Sequence, residues 1–159
     1  WFQSMGAQIY VGTGDEMNMI TGNFGPESPF TNHVMPPCHP DVCIHEDMDI
    51  SAGGLCIHAL RMPGHTSGSM LYYVMLDKEA VLFSGDMFFA DGETGEAAYT
   101  GWKGDMAYDG LRLLESFQKL WRLQLHPDMV AGGHGIPVIG SHAAQIIMQA
   151  YKYAMLNNR

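Results

Sequence analysis

A chain of 159 residues has the size of one ordinary domain, and its 8 Lys and Arg against 17 Asp and Glu give a net charge of −9, which repels a phosphate backbone. Nucleic acid is thereby disfavoured as a partner, and no apolar run approaches the roughly 20 residues that a membrane-spanning helix needs, so no membrane partner is expected either. The three cysteines, Cys38, Cys43 and Cys56, are an odd number in a chain large enough to fold without staples, which points to a reducing, cytoplasmic compartment rather than a disulfide framework.

The sequence opens at Trp1 with no initiator methionine and no basic-then-apolar leader, as a processed or truncated piece would. Residues 7–11 have the β-branched and aromatic content of a short strand, closed by Gly12-Thr13-Gly14-Asp15. Residues 22–49 carry Pro26, Pro29, Pro36, Pro37 and Pro40, which preclude a long helix, and they read as a surface excursion over a cleft. From Leu55 onward, segments 55–62, 69–76, 80–84 and 129–131 read as strands bounded by Gly or Pro. Between the last two, Leu111, Leu114, Phe117, Leu120, Trp121 and Leu125 recur at helical steps, predicting an amphipathic helix over 111–125 that Pro127 stops. A second helix is expected after Gly140, with Ser141 as its N-cap and Ala143, Ile146, Ile147, Ala150 and Ala154 on one face. This alternation makes an α/β protein, with residues 1–159 as a single domain.

Three turns at predicted strand ends carry the chemistry: Pro63-Gly64-His65-Thr66-Ser67-Gly68-Ser69, Ser84-Gly85-Asp86, and Gly132-Gly133-His134-Gly135. Glycine on either side of a polar residue lets the backbone bend sharply and approach a ligand. Two imidazoles and a carboxylate suit Zn, Fe or Mn, and three protein ligands leave positions open for water or substrate. Taken singly, a histidine after glycine is a solvated loop residue and Asp86 a turn former; it is their recurrence at successive strand ends that favours a shared metal.

Together these motifs resemble the later motifs of the metallo-β-lactamase superfamily, over roughly residues 55–140. The resemblance implies an αββα sandwich, a mixed β-sheet with flanking helices, that binds one or two metals at the sheet edges. It implies His65 as ligand to a first metal, Asp86 as the carboxylate bridging both, and His134 as ligand to a second. Thr66 and Ser69 would orient His65 through the loop backbone. An aspartate bridge is typical of hydrolases similar to glyoxalase II and lactonases, so antibiotic hydrolysis is not expected. The family's first motif, His-x-His-x-Asp-His, is absent: the histidines are His33, His39, His45, His58, His65, His126, His134 and His142, and no two are two apart. The expectation is a domain lacking its N-terminal portion, with a complementing N-terminal segment or a homo-oligomer as candidate partners.

The implied activity is hydrolysis of a small-molecule substrate by metal-activated hydroxide, at an ester, lactone, thioester, sulfate or phosphate bond, with Zn as cofactor and Fe or Mn possible alternatives. Two other outcomes stay open: an iron oxygenase similar to persulfide dioxygenases, and a metal-free interaction domain. Tyr99, Trp102, Tyr108 and His33 are candidate substrate-pocket walls. Cys38, His39, Cys43 and His45 have a spacing close to a small zinc site, but the crowding prolines favour an ordered loop with buried thiols. His58 is assigned a sheet face and no role.

Overall fold

The fold is that of a computed structural model, which describes residues 1–23, 35–90, 98–100 (98–99 by backbone alone) and 108–158. In chain order these form β1 (Tyr10–Gly12), α1 (Glu16–Thr21), β2 (Val42–Ile44), β3 (Met48–Ala52), β4 (Leu55–Arg61), β5 (Met70–Leu76), β6 (Glu79–Gly85), β7 (Phe89–Ala90), β8 (Ala98–Tyr99), α2 (Gly110–Arg122), β9 (Met129–Gly132), β10 (Val138–Ile139) and α3 (Ala143–Asn157). The main sheet has the order β10-β9-β6-β5-β4-β3, while β1 pairs with β2 in parallel and β7 with β8 antiparallel. Within the main sheet only β6 and β9 are parallel; the other neighbours are antiparallel.

Alternation along the strands divides the apolar residues between two faces. Leu60, Leu71, Leu82 and Val130 point to one side, where they pack with Leu113, Phe117 and Leu120 of α2 and with Ile146, Ile147 and Ala150 of α3. Phe117 sits at the centre, its ring 5.7 Å from that of Phe88 and stacked at 5.6 Å on Tyr151. On the opposite face Ile50 and Ala59 pack with Ile44 of β2 and with Tyr10, Met70 and Tyr72. The result is a mixed sheet with helices on one side and a small β pair on the other.

The four strands expected from Leu55 onward form within a residue or so of their predicted ends. Four expectations need correction. The first long helix ends at Arg122, not at Pro127: Leu123 caps it and Gln124 turns left-handed at φ 49°, so the chain leaves before proline can act. Its buried stripe is Leu113, Ser116, Phe117 and Leu120, whereas Leu111 and Trp121 are exposed. Ser141 does not cap α3; it lies inside a 3-10 turn, Gly140–His142, that precedes Ala143, and no side chain caps that start. The proline-rich excursion contains β2 and leads into β3, because the short Val42–Ile44 run has β1 beside it to pair with.

One topological fact places the chemistry. β4 and β6 flank the antiparallel β5 and so run the same way, and β9 runs with β6. The C-terminal ends of β4, β6 and β9 therefore share one sheet edge, and His65, Asp86 and His134 follow those three ends.

Candidate metal centre

Asp86 leaves β6 through an irregularity: the register with β9 shifts between Phe83 and Gly85, a bulge of the kind that re-aims a side chain at a sheet rim. The buried Ser84 hydroxyl donates to the Phe88 carbonyl at 2.6 Å, and the Met87 N–H donates to the Ser84 carbonyl at 3.2 Å, which fixes the turn. Across the edge, the Gly133 N–H donates to the Gly85 carbonyl at 2.8 Å. A Cβ on Gly133 would stand only 2.1 Å from Asp86 Oδ1, so the carboxylate occupies space that any other residue would fill.

His65 sits on a loop tied at several points. The Met62 N–H donates to the Ser69 carbonyl at 2.9 Å, closing the loop at its base, and the Asp109 N–H donates to the Gly64 carbonyl at 2.8 Å from the start of α2. Within it the Thr66 N–H donates to Ser69 Oγ at 2.9 Å, and the two hydroxyls are 2.8 Å apart. Asp15 completes the tie: its carboxylate accepts from the Thr66 hydroxyl and from the Gly68 N–H. Gly68 can reach it only because it packs backbone to backbone on Gly12, where an added Cβ would come within 2.4 Å of the Gly12 carbonyl oxygen. Arg61 braces the same junction, its guanidinium donating to the Thr13 and Ser67 carbonyls at 2.9 and 3.1 Å.

These supports bring two imidazoles onto one carboxylate oxygen. His134 Nε2 lies 3.3 Å and His65 Nε2 3.8 Å from Asp86 Oδ2. The His65 side chain is 15% exposed, Asp86 31% and His134 70%, so the group opens outward from a buried end to a solvent-facing one. The His134 ring meets Phe89 edge-on at 5.7 Å. A cavity of about 290 Å³ adjoins Asp86, with Asp15, Thr66, Ser69, Tyr72 and Met87 among its walls. Burial pushes the Tyr72 phenol above its usual range, so it faces the cavity as a neutral hydroxyl.

The donor set fits a divalent cation. Ligand atoms at zinc distances of about 2.0–2.2 Å stand roughly 3.3–3.6 Å from one another around a tetrahedral ion, which is the spacing of His134 and Asp86. His65 Nδ1 is buried without a hydrogen-bond partner among the described residues, so the ring gains no compensation for its burial from the protein groups around it. Among the described residues, Asp49, Cys56 and His58 form the one set of three donors whose atoms all lie within 4.8 Å of one another, so the two imidazoles on Asp86 are spread more widely than that.

Solved structures share this arrangement of sheet and helices. BLEG-1, a B3 metallo-β-lactamase, superposes with a TM-score of 0.70 at 24% identity over 92% of this chain and 63% of its own. This is the metallo-β-lactamase fold. LRA-12, a class B3 di-zinc metallo-β-lactamase from an Alaskan soil metagenome, has the same fold at a TM-score of 0.57, with 19% identity over 83% of this chain and 49% of its own. In sequence, the hydroxyacylglutathione hydrolase of Pseudomonas entomophila is 34% identical over 85 residues, which are 52% of this chain and 30% of that enzyme. The chain thus spans about three fifths of BLEG-1, and the matched segment under a third of the curated relative. No protein-family model matches the chain.

The remaining sequence candidates divide. Tyr108 is not a wall of the Asp86 cavity: its hydroxyl donates to Asn158 Oδ1 at 2.8 Å and its ring packs on the helix-side core, because the chain there is already turning into α2. Tyr99 is placed by its backbone in β8, opposite Phe89, and His33 and Trp102 lie outside the described residues. Cys38 and Cys43 are half-buried free thiols and join no three-donor set among the described residues. Sequence reasoning gave Asp15 no part in the site, and it did not show that Gly133 makes room for the Asp86 carboxylate. Asp15 follows a Gly-Thr-Gly turn that reads as a strand terminator, and nothing local shows that its carboxylate reaches a loop some fifty residues on.

Proposed function

We propose that the chain is the metal-binding C-terminal part of a metal-dependent hydrolase acting on an ester- or thioester-type bond, with zinc at a site formed by His65, Asp86 and His134. The observation that carries this reading is the convergence of both imidazole Nε2 atoms on Asp86 Oδ2, and the curated hydroxyacylglutathione hydrolase relative supports the bond class. Bound cations of this kind supply an acidified water and a Lewis acid for the charge that develops on the attacked group.

The chain's own residues contribute position and charge. Asp86 sets one carboxylate oxygen within reach of both histidines, and Gly133 leaves room for it. Asp15, Thr66 and Ser69 hold the His65 loop in one conformation, which limits the reorganisation needed on binding. Tyr72 offers a neutral O–H donor on the wall of the cavity beside Asp86.

The test is turnover of small ester, lactone and thioester substrates by the zinc-loaded complete gene product, beside His65→Ala, Asp86→Ala and His134→Ala. The reading predicts hydrolysis that falls in each variant to the rate of free zinc in solution. Equal turnover in wild type and all three variants would overturn it. Zinc with no oxygen uptake separates this chemistry from the iron oxygenase of the same fold.

A further inference from the structure

A second group of metal-type donors stands away from the sheet edge just described. We infer that Asp49, Cys56 and His58 form an independent binding site for a zinc-class divalent cation on the helix-side face of the β3–β4 hairpin. One donor atom from each lies within 4.8 Å of the other two. Their placement follows from the register: Asp49 pairs with His58 and Ser51 with Cys56 across the antiparallel ladder, and Cys56 and His58 are two apart on one strand. All three side chains therefore rise from the same face, on backbone that the ladder already fixes.

The chemistry of the set is selective. A thiolate with an imidazole suits borderline cations such as zinc, and the carboxylate adds charge; magnesium and calcium prefer all-oxygen shells. His58 is held on two sides, its Nδ1 2.6 Å from Asp49 Oδ1 and its ring stacked on Tyr73 at 6.3 Å and 28°. The His58 and Asp49 side chains are 48% and 63% exposed, which leaves them room to open from that hydrogen bond to the wider spacing that ligands take around an ion. Cys56 is an exposed free thiol.

A cavity of about 520 Å³ adjoins the group, lined by Asp49, His58, Leu60, Tyr73, Leu123 and Leu125. Three protein ligands leave a fourth position open, and this largely apolar hollow gives a small molecule space to approach it. The site uses a thiolate where the Asp86 centre has none, so the two can be read separately.

Cobalt(II) titration of the complete protein tests this, because a thiolate bound to cobalt gives a near-ultraviolet charge-transfer band that nitrogen and oxygen ligands do not. The expected result is a band saturating at one equivalent, retained in a His65→Ala/His134→Ala double variant, lost in Cys56→Ser and reduced at least tenfold in apparent affinity in His58→Ala. A band absent from wild type, or undiminished in Cys56→Ser, would overturn the proposal. The first result would leave the Asp86 centre intact, since its ligands contribute no such band.

Discussion

Gly133 carries a sharper prediction than the ligands themselves. Its missing side chain is the space that Asp86 Oδ1 occupies, at 2.1 Å from where a Cβ would stand. Gly133→Ala should push the carboxylate out of line with His65 and His134 and lower bound metal by at least tenfold in affinity, with the helix-side core untouched. Wild-type metal content in that variant, by equilibrium dialysis, would show that the close approach is incidental. Tyr72 gives a prediction in pH. Burial raises its phenol above the usual tyrosine value, so the folded state holds that proton longer than the unfolded chain does. Below the unfolded pKa both states are protonated and the contribution to stability is complete; it is lost as pH rises through the folded pKa. Urea unfolding at about pH 9 and about pH 11 should show a smaller alkaline loss in Tyr72→Phe than in wild type, and equal losses would count against a buried phenol.

The helices follow from local chemistry, and one cap can be weighed. The Asp109 carboxylate accepts from the Leu111 and Arg112 N–H groups at 3.0 and 3.1 Å, satisfying two of the orphan donors at the start of α2. Asp109→Ala should cost about 1 kcal/mol in denaturant unfolding. Because the Asp109 N–H also holds Gly64, the backbone bond that the substitution keeps should leave metal affinity within about threefold of wild type. The strands from Leu55 to Leu82 were legible because alternation and glycine punctuation act locally. The stripe of α2 was only half legible: Leu111 and Trp121 continue the helical spacing, and only the packing of Leu113 and Phe117 against the sheet decides which side is buried. β1 and β2 were harder still, since each is three residues long and exists through its partner.

The molecule as a whole joins residues distant in sequence at one rim, and here the motifs said more than the elements. Three glycine-flanked polar residues after three strands named His65, Asp86 and His134, and the parallel sense of β4, β6 and β9 puts those strand ends on the same edge. What the motifs left unmarked was the scaffold: Asp15 reaching Thr66 and Gly68, and Arg61 reaching Thr13 and Ser67, are contacts between segments with no shared pattern. The Asp49, Cys56 and His58 group was likewise invisible until the β3–β4 register set Asp49 opposite His58.

The most direct measurement is a crystal structure of the zinc-loaded protein with anomalous data collected on both sides of the zinc edge. An anomalous peak is expected within ligating distance of Asp86 and of His65 or His134, and two such peaks if both cations bind. Zinc bound in stoichiometric amount with no peak near Asp86 would contradict it.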